Sequence, residues 1–162
     1  MRIIAAATAL LLASATTALA APAQVSVAVD SKLQAKAEKT YGVRDVARLT
    51  DSLKSDVERA LARSGALEDA RVELVLVDVK PNRPTFKQMS DTPGLSMESF
   101  GVGGATIEGR IVRADGSVTP VSYRWYESDI RQAYGNWVWH DAEWTFDRFA
   151  SRLAKGEQLA RR

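Results

Sequence analysis

The stretch ATIEGRIVRADGSVTPVSYRWY, residues 105–126, decides the fold. Its two arms, Ala105 to Arg113 and Val118 to Tyr126, flank an Asp115-Gly116 pair. That pair supplies the positive φ angles of a tight antiparallel turn, so the segment reads as a β-hairpin. On the second arm Val121, Tyr123 and Trp125 share one face, because strand side chains alternate. Pro120 has no N–H to give to a ladder. The second arm is therefore expected at a sheet edge, or bulged near its start.

The rest of the chain is read outward from the hairpin. Val72 to Val79 is a strand with apolar residues on both faces, the pattern of a strand that is central or covered on both sides. Val25, Val27 and Val29 alternate with smaller or polar residues, which predicts a half-buried strand. Ser31 and Gln34 have capping-box spacing, and a short helix from Lys32 to Tyr41 follows, stopped by Gly42. Next comes the best-defined helix. Asp45 is its expected cap, and Val46, Leu49, Leu53, Val57 and Leu61 recur at spacings of three and four, drawing one apolar stripe. Gly65 ends it. Asp141 is expected to cap a last helix, Ala142 to Lys155, whose stripe is Ala142, Phe146, Phe149 and Leu153. The order strand, short helix, helix, strand, long loop, hairpin, helix predicts an α+β fold: two layers, a small and mostly antiparallel sheet with helices on one face. Residues 21–156 form a single domain on this reading, and residues 157–162 a frayed tail.

Residues 1–20 read differently. Met1-Arg2 is a short positive start, Ile3 to Ala15 is apolar, and Ala18-Leu19-Ala20 has the small-x-small form of a signal peptidase site. The apolar run is shorter than the roughly 20 residues of a spanning helix. A secretory signal peptide is expected, cleaved after Ala20 or, at the second small-x-small site, after Ala23. The chain has no Cys, so neither a lipidated Cys nor a disulfide framework is available. A soluble periplasmic or secreted protein, not lipidated, is the expected result. With 22 basic and 20 acidic residues the formal net charge is only +2. There is no basic stripe of the kind nucleic acid needs.

Chemistry-bearing motifs are few. Gly101-Val102-Gly103-Gly104 leads into a strand rather than a helix, so it lacks the setting of a phosphate loop and is read as a bend or bulge. His140 is the one histidine, and with no Cys a zinc site would need carboxylates for every other ligand. Ser128 has no feature marking it as a nucleophile. Glu127, Asp129, Asp141 and Glu143 offer carboxylates but no spacing that fixes their separation. Neither catalytic residues, cofactor nor metal are assigned. The segment 80–104 is long for a structureless loop. It is read chiefly as a cover, with Phe86, Met89, Leu95, Met97 and Phe100 closing the second apolar face of the Val72–Val79 strand, and otherwise as a flap over a partner. Pro84 to Met89 has room for one helical turn.

Nine of the twelve aromatic residues fall between Tyr123 and Phe149. Tyr123 and Trp125 belong to the core face of the hairpin. Trp137 and Trp139 flank Val138 and, if extended, point to the same side. Trp144 lies roughly 160° around the last helix from Phe146, on its polar face. The expected partner-contact set is therefore Trp137, Trp139, Trp144, Arg148, Phe86 and Met89, since Trp and Arg are enriched where interfaces bind tightly.

The runs Lys80-Pro81-Asn82-Arg83-Pro84-Thr85-Phe86, Gly101-Val102-Gly103-Gly104-Ala105 and Ser122-Tyr123-Arg124-Trp125-Tyr126-Glu127 resemble a group of small uncharacterised secreted proteins of Gram-negative bacteria, over nearly the whole mature chain. The chain is similar, more loosely, to envelope domains of unknown function that often carry a lipidated Cys, which is missing here. The resemblance implies location and fold, not chemistry. The expected function is a periplasmic binding or scaffolding domain without catalysis, acting on an unknown envelope protein or ligand, with self-association as a further possibility. The alternative is a small envelope hydrolase using His140 with Glu127 or Asp129.

Overall fold

The computed structural model describes residues 21–159. The expected signal peptide lies outside them. The elements run β1 (Gln24–Val29), α1 (Ser31–Lys36) continued by a π-type turn (Ala37–Tyr41), α2 (Val43–Ser64), β2 (Arg71–Lys80), α3 (Phe86–Asp91), β3 (Gly104–Val112), β4 (Val118–Tyr126), a 3-10 turn (Ile130–Ala133) and α4 (His140–Ala154). The sheet order is β1-β2-β3-β4. β1 and β2 are parallel, joined by the α1–α2 crossover; the other two pairings are antiparallel. This is the expected α+β fold.

The stripes read from the sequence are the core. Val46, Leu49, Leu53, Val57 and Leu61 of α2 are buried against Phe146, Phe149 and Leu153 of α4 and against Val72, Leu74, Leu76, Ile107 and Ile111 of the sheet. Such well-packed positions lose about 2–5 kcal/mol on truncation to Ala. β2 is central, but its two apolar faces are not equivalent. A bulge between Leu76 and Asp78 inserts one residue and shifts the alternation, so Val79 turns inward after Leu76 while Val75 and Val77 are half-buried.

Several helix starts differ from expectation by a residue or more. Asp30, not Ser31, caps α1, accepting from Lys32 N at 2.8 Å. Gly42 holds the N-cap of α2, and Asp45 sits in its first turn. α4 begins at His140, one turn position too early for Asp141 to cap it; Trp139 occupies the N-cap without a side-chain bond. In the hairpin only Gly116 has positive φ, 82°. The turn is accordingly wider, with Arg113 N donating to Ser117 O and Asp115 Oδ1 accepting from Ser117 N. β4 is an edge strand, as Pro120 requires. Of the tail expected to fray, residues 160–162 lie outside the described residues, while Leu159 is 7% exposed and accepts at its carbonyl from Ser122 N.

Candidate functional site

Segment 80–104 does not cover the sheet. It contains α3, with a capping box in which Thr85 Oγ1 accepts from Gln88 N and Gln88 Oε1 accepts from Thr85 N. Its apolar residues point away from the core: Phe86 is 81% exposed, Met97 46% and Phe100 42%. Met89 and Leu95 are half-buried. The covering expectation is thus corrected. The segment is anchored by polar groups and presents its apolar ones.

The anchor is a buried knot around Asp141, which is 3% exposed. Asp141 Oδ2 accepts from Asn82 Nδ2 at 2.6 Å and from Gly103 N at 2.8 Å, and Oδ1 accepts from Asn136 Nδ2 at 3.2 Å. Asp141 N returns a bond to Asn82 Oδ1 at 2.9 Å. Charge-assisted bonds of this kind are about twice as strong as neutral ones. The carboxylate also lies in the first turn of α4, where the helix dipole favours negative charge. Asn82 N donates to Val138 O and Asn82 O accepts from Gly101 N, both at 2.7 Å. Close approach demands glycine at 103: a Cβ there would lie 2.7 Å from both Asn82 Oδ1 and Lys80 O. The glycine run is a backbone contact, not an anion loop.

Arg83 fastens the outer layer. Its guanidinium donates to the carbonyls of Asn136, Tyr134 and Met97. One planar fork so binds two separate loops, a geometry a lysine ammonium does not reproduce. Asn82 and Arg83 are positioning residues that sequence reasoning missed, and Asp141 is one it assigned to a cap. Asp141 and Asn82 stand far apart in the chain, and no local spacing signals their pairing.

On this frame the aromatic residues part company. Trp139 is 1% exposed and packs edge-to-face on Tyr41, ring centroids 5.6 Å apart; its Nε1 donates to Asp45 at 3.4 Å. It is core, and its place in the contact set is withdrawn. Residues 137–139 form a turn rather than a strand, so the two indoles diverge. Trp137 is 57% exposed, yet its Nε1 donates to Glu143 Oε2 at 2.8 Å, and Glu143 Oε1 accepts from Arg48 at 2.8 Å. His140 stacks edge-to-face on Trp137 at 4.4 Å and lies 6.2 Å from the half-exposed Trp144. Phe86, Met97 and Trp137 border a cleft of about 220 Å³ whose floor includes Trp139. Phe100 and Tyr134 meet edge-to-face at 5.7 Å, with Arg83 5.9 Å above Phe100. Arg148 belongs elsewhere, over the Trp125 ring at 5.5 Å. The result is a band of exposed rings, Phe86 and Trp137 at the cleft and Trp144 beyond His140, with Phe100 and Tyr134 as a separate pair beneath Arg83.

The carboxylates named beside His140 are engaged otherwise. Glu127 Oε1 accepts from Ser128 N and Asp129 N, and Asp129 pairs with Arg131 at 2.7 Å. Nδ1 of His140 has no hydrogen-bond partner among the described residues. Among those residues no group of three or more His, Asp or Glu side chains is placed to hold a metal ion, and no helix is long and apolar enough to cross a membrane.

No protein family and no curated protein matches the chain. Among solved structures, a minor lipoprotein from Acinetobacter baumannii aligns over 90% of this chain and 100% of its own, with 12% identity and a TM-score of 0.39. A likeness that distant carries no argument about chemistry.

Proposed function

We propose that this is a non-catalytic binding domain of the periplasm, soluble and not lipidated, which engages an envelope protein through the band of Phe86, Met97, Trp137 and Trp144. One observation carries the reading: Trp137 is more than half exposed but fixed, its indole N–H held by a glutamate that Arg48 holds in turn. Large exposed apolar patches are sites of interaction, and a ring already ordered loses little entropy on binding. The adjoining cleft of about 220 Å³ is smaller than the roughly 300–1,000 Å³ of small-molecule sites. It suits one apolar side chain of a protein partner. The sequence features of residues 1–20 and the lack of Cys support the location.

Affinity capture from the native periplasm tests the proposal. A partner retained by the wild type and by Lys54→Ala, on the solvent face of α2, is to be lost by Trp137→Ala and Phe86→Ala. Retention of the same partner by all four proteins would refute the assignment.

A further inference from the structure

A second surface lies at the other side of α4, meeting the aromatic band only at Trp144. We infer that the outer edge of β4 from Ser122 to Tyr126 is a docking strip for an extended acidic segment of a partner protein. Backbone groups of an edge strand alternate between its neighbour and solvent. Glu127 N donates to Gly103 O on the β3 side, whereas Ser122 N donates outward to Leu159 O. By that alternation the amides of Arg124 and Tyr126 face outward too. Pro120 closes the strip at its other end, having no N–H to offer.

The chain's own tail shows what the strip accepts. After α4, Leu159 comes to lie at Ser122, buried to 7% exposure, and Glu157 pairs with Arg152 at 3.0 Å. A main-chain carbonyl sits on the edge, and beside it Arg152 already holds a carboxylate, the two kinds of contact an acidic strand would make. Alternate side chains of an added strand would fall on the α4 side of the sheet. There Arg148 and Arg152 lie over Trp125 and Tyr123 at 5.5 and 5.6 Å. A groove of about 360 Å³ runs past them, bordered by Trp144 and Lys155, with Asp147 and the tail's Glu157 as its two carboxylates. Arg148 and Lys155 have no ion-pair partner among the described residues. Lys155 suits the negative end of the helix dipole, but Arg148 lies too far from that end for the dipole to account for it. Strand addition draws affinity from main-chain bonds and specificity from alternate side chains; here those side chains would be acidic. A second copy fits less well, since pairing β4 with β4 would bring together the arginines at 124, 148 and 152 of both copies.

Fluorescence anisotropy with a labelled peptide alternating glutamate and valine tests the strip, with a lysine–valine peptide as control. The acidic peptide is expected to saturate and the basic one not to bind. Arg148→Gln is expected to weaken binding at least fivefold. Arg124→Pro, which removes an edge amide, is expected to weaken it more than Arg124→Ala. Leu159→Asp, or deletion of residues 157–162 should that variant misfold, is expected to tighten binding severalfold by freeing Ser122. Equal binding of the two peptides would overturn the inference. So would no binding to either tail variant, or indifference to Arg148→Gln. Dimerisation of the tail variants in sedimentation without peptide binding would assign the edge to a second copy and overturn it as well.

Discussion

Replacing Asp141 by Ala is the most searching perturbation of the frame that carries the aromatic band. The carboxylate is buried, and its loss leaves Gly103 N without a partner and takes one of two bonds from Asn82 Nδ2, which keeps its bond to Gly101 O at 3.1 Å. A buried donor left without a partner costs about 1–3 kcal/mol and the lost second bond of Asn82 about 1 kcal/mol, so the change costs about 3 kcal/mol. Asn136 Nδ2 is only half-buried and turns to water at little cost. Unfolding entropy of roughly 2.1 cal/mol/K per residue gives about 0.3 kcal/mol/K for a domain of about 140 residues. The melting temperature should then fall by about 10 °C. Asp141→Asn keeps the shape and one acceptor but loses the charge assistance, worth about 1–2 kcal/mol, and should fall by about 3–6 °C. Thermal unfolding followed by circular dichroism measures both. Limited proteolysis adds a local readout, since cleavage within residues 80–104 should accelerate in the Ala variant before global unfolding. A fall of less than 3 °C for Asp141→Ala, with the loop still protected, would refute the claim that this knot anchors the segment.

Other outcomes follow from the same geometry. Gly103→Ala forces a Cβ to within 2.7 Å of a backbone oxygen and of Asn82 Oδ1; an overpacking cost of about 1–3 kcal/mol should lower the melting temperature by about 3–10 °C, while Gly101→Ala, with open space around it, should leave it unchanged. The Tyr126 hydroxyl is pushed up to about 12 by burial and by Asp78, to which it donates at 2.8 Å. Folding therefore favours its protonated form. The stability this gives is complete below the ordinary tyrosine value near 10 and is lost as pH rises through about 12; the late step in absorbance at 295 nm, to which Tyr41 also contributes since burial raises it, should shrink by one tyrosine in Tyr126→Phe. In proteins retaining a single Trp, acrylamide should quench Trp137 and Trp144 readily and Trp139 hardly at all, as their exposures of 57%, 50% and 1% require.

The elements were legible where burial is periodic. The α2 and α4 stripes, the central β2 and the β3–β4 hairpin all show in apolar spacing, because one buried face leaves a period of 3.6 or 2. What spacing does not contain is the pairing of polar groups distant in sequence. Asp141 looked like a helix cap because an acid before an apolar stripe usually is one. Its true partners, Asn82 and Gly103, come from another loop and are brought to it only by the fold. The same holds for the tryptophans. Whether Trp137 or Trp139 turns inward depends on the backbone of one turn, and period-two alternation gave the wrong answer there. The loop 80–104 misled for a related reason. Apolar content suggested a cover, whereas Arg83 and Asn82 anchor the segment and leave Phe86, Met97 and Phe100 outward.

The central claim is that the fixed aromatic band is the contact surface. Photo-crosslinking in the native envelope tests it most directly, with the photoreactive amino acid placed at position 86, 137 or 54. The account predicts one shared partner adduct from positions 86 and 137 and none from position 54. Adducts of equal yield from all three positions, or from position 54 alone, would contradict it.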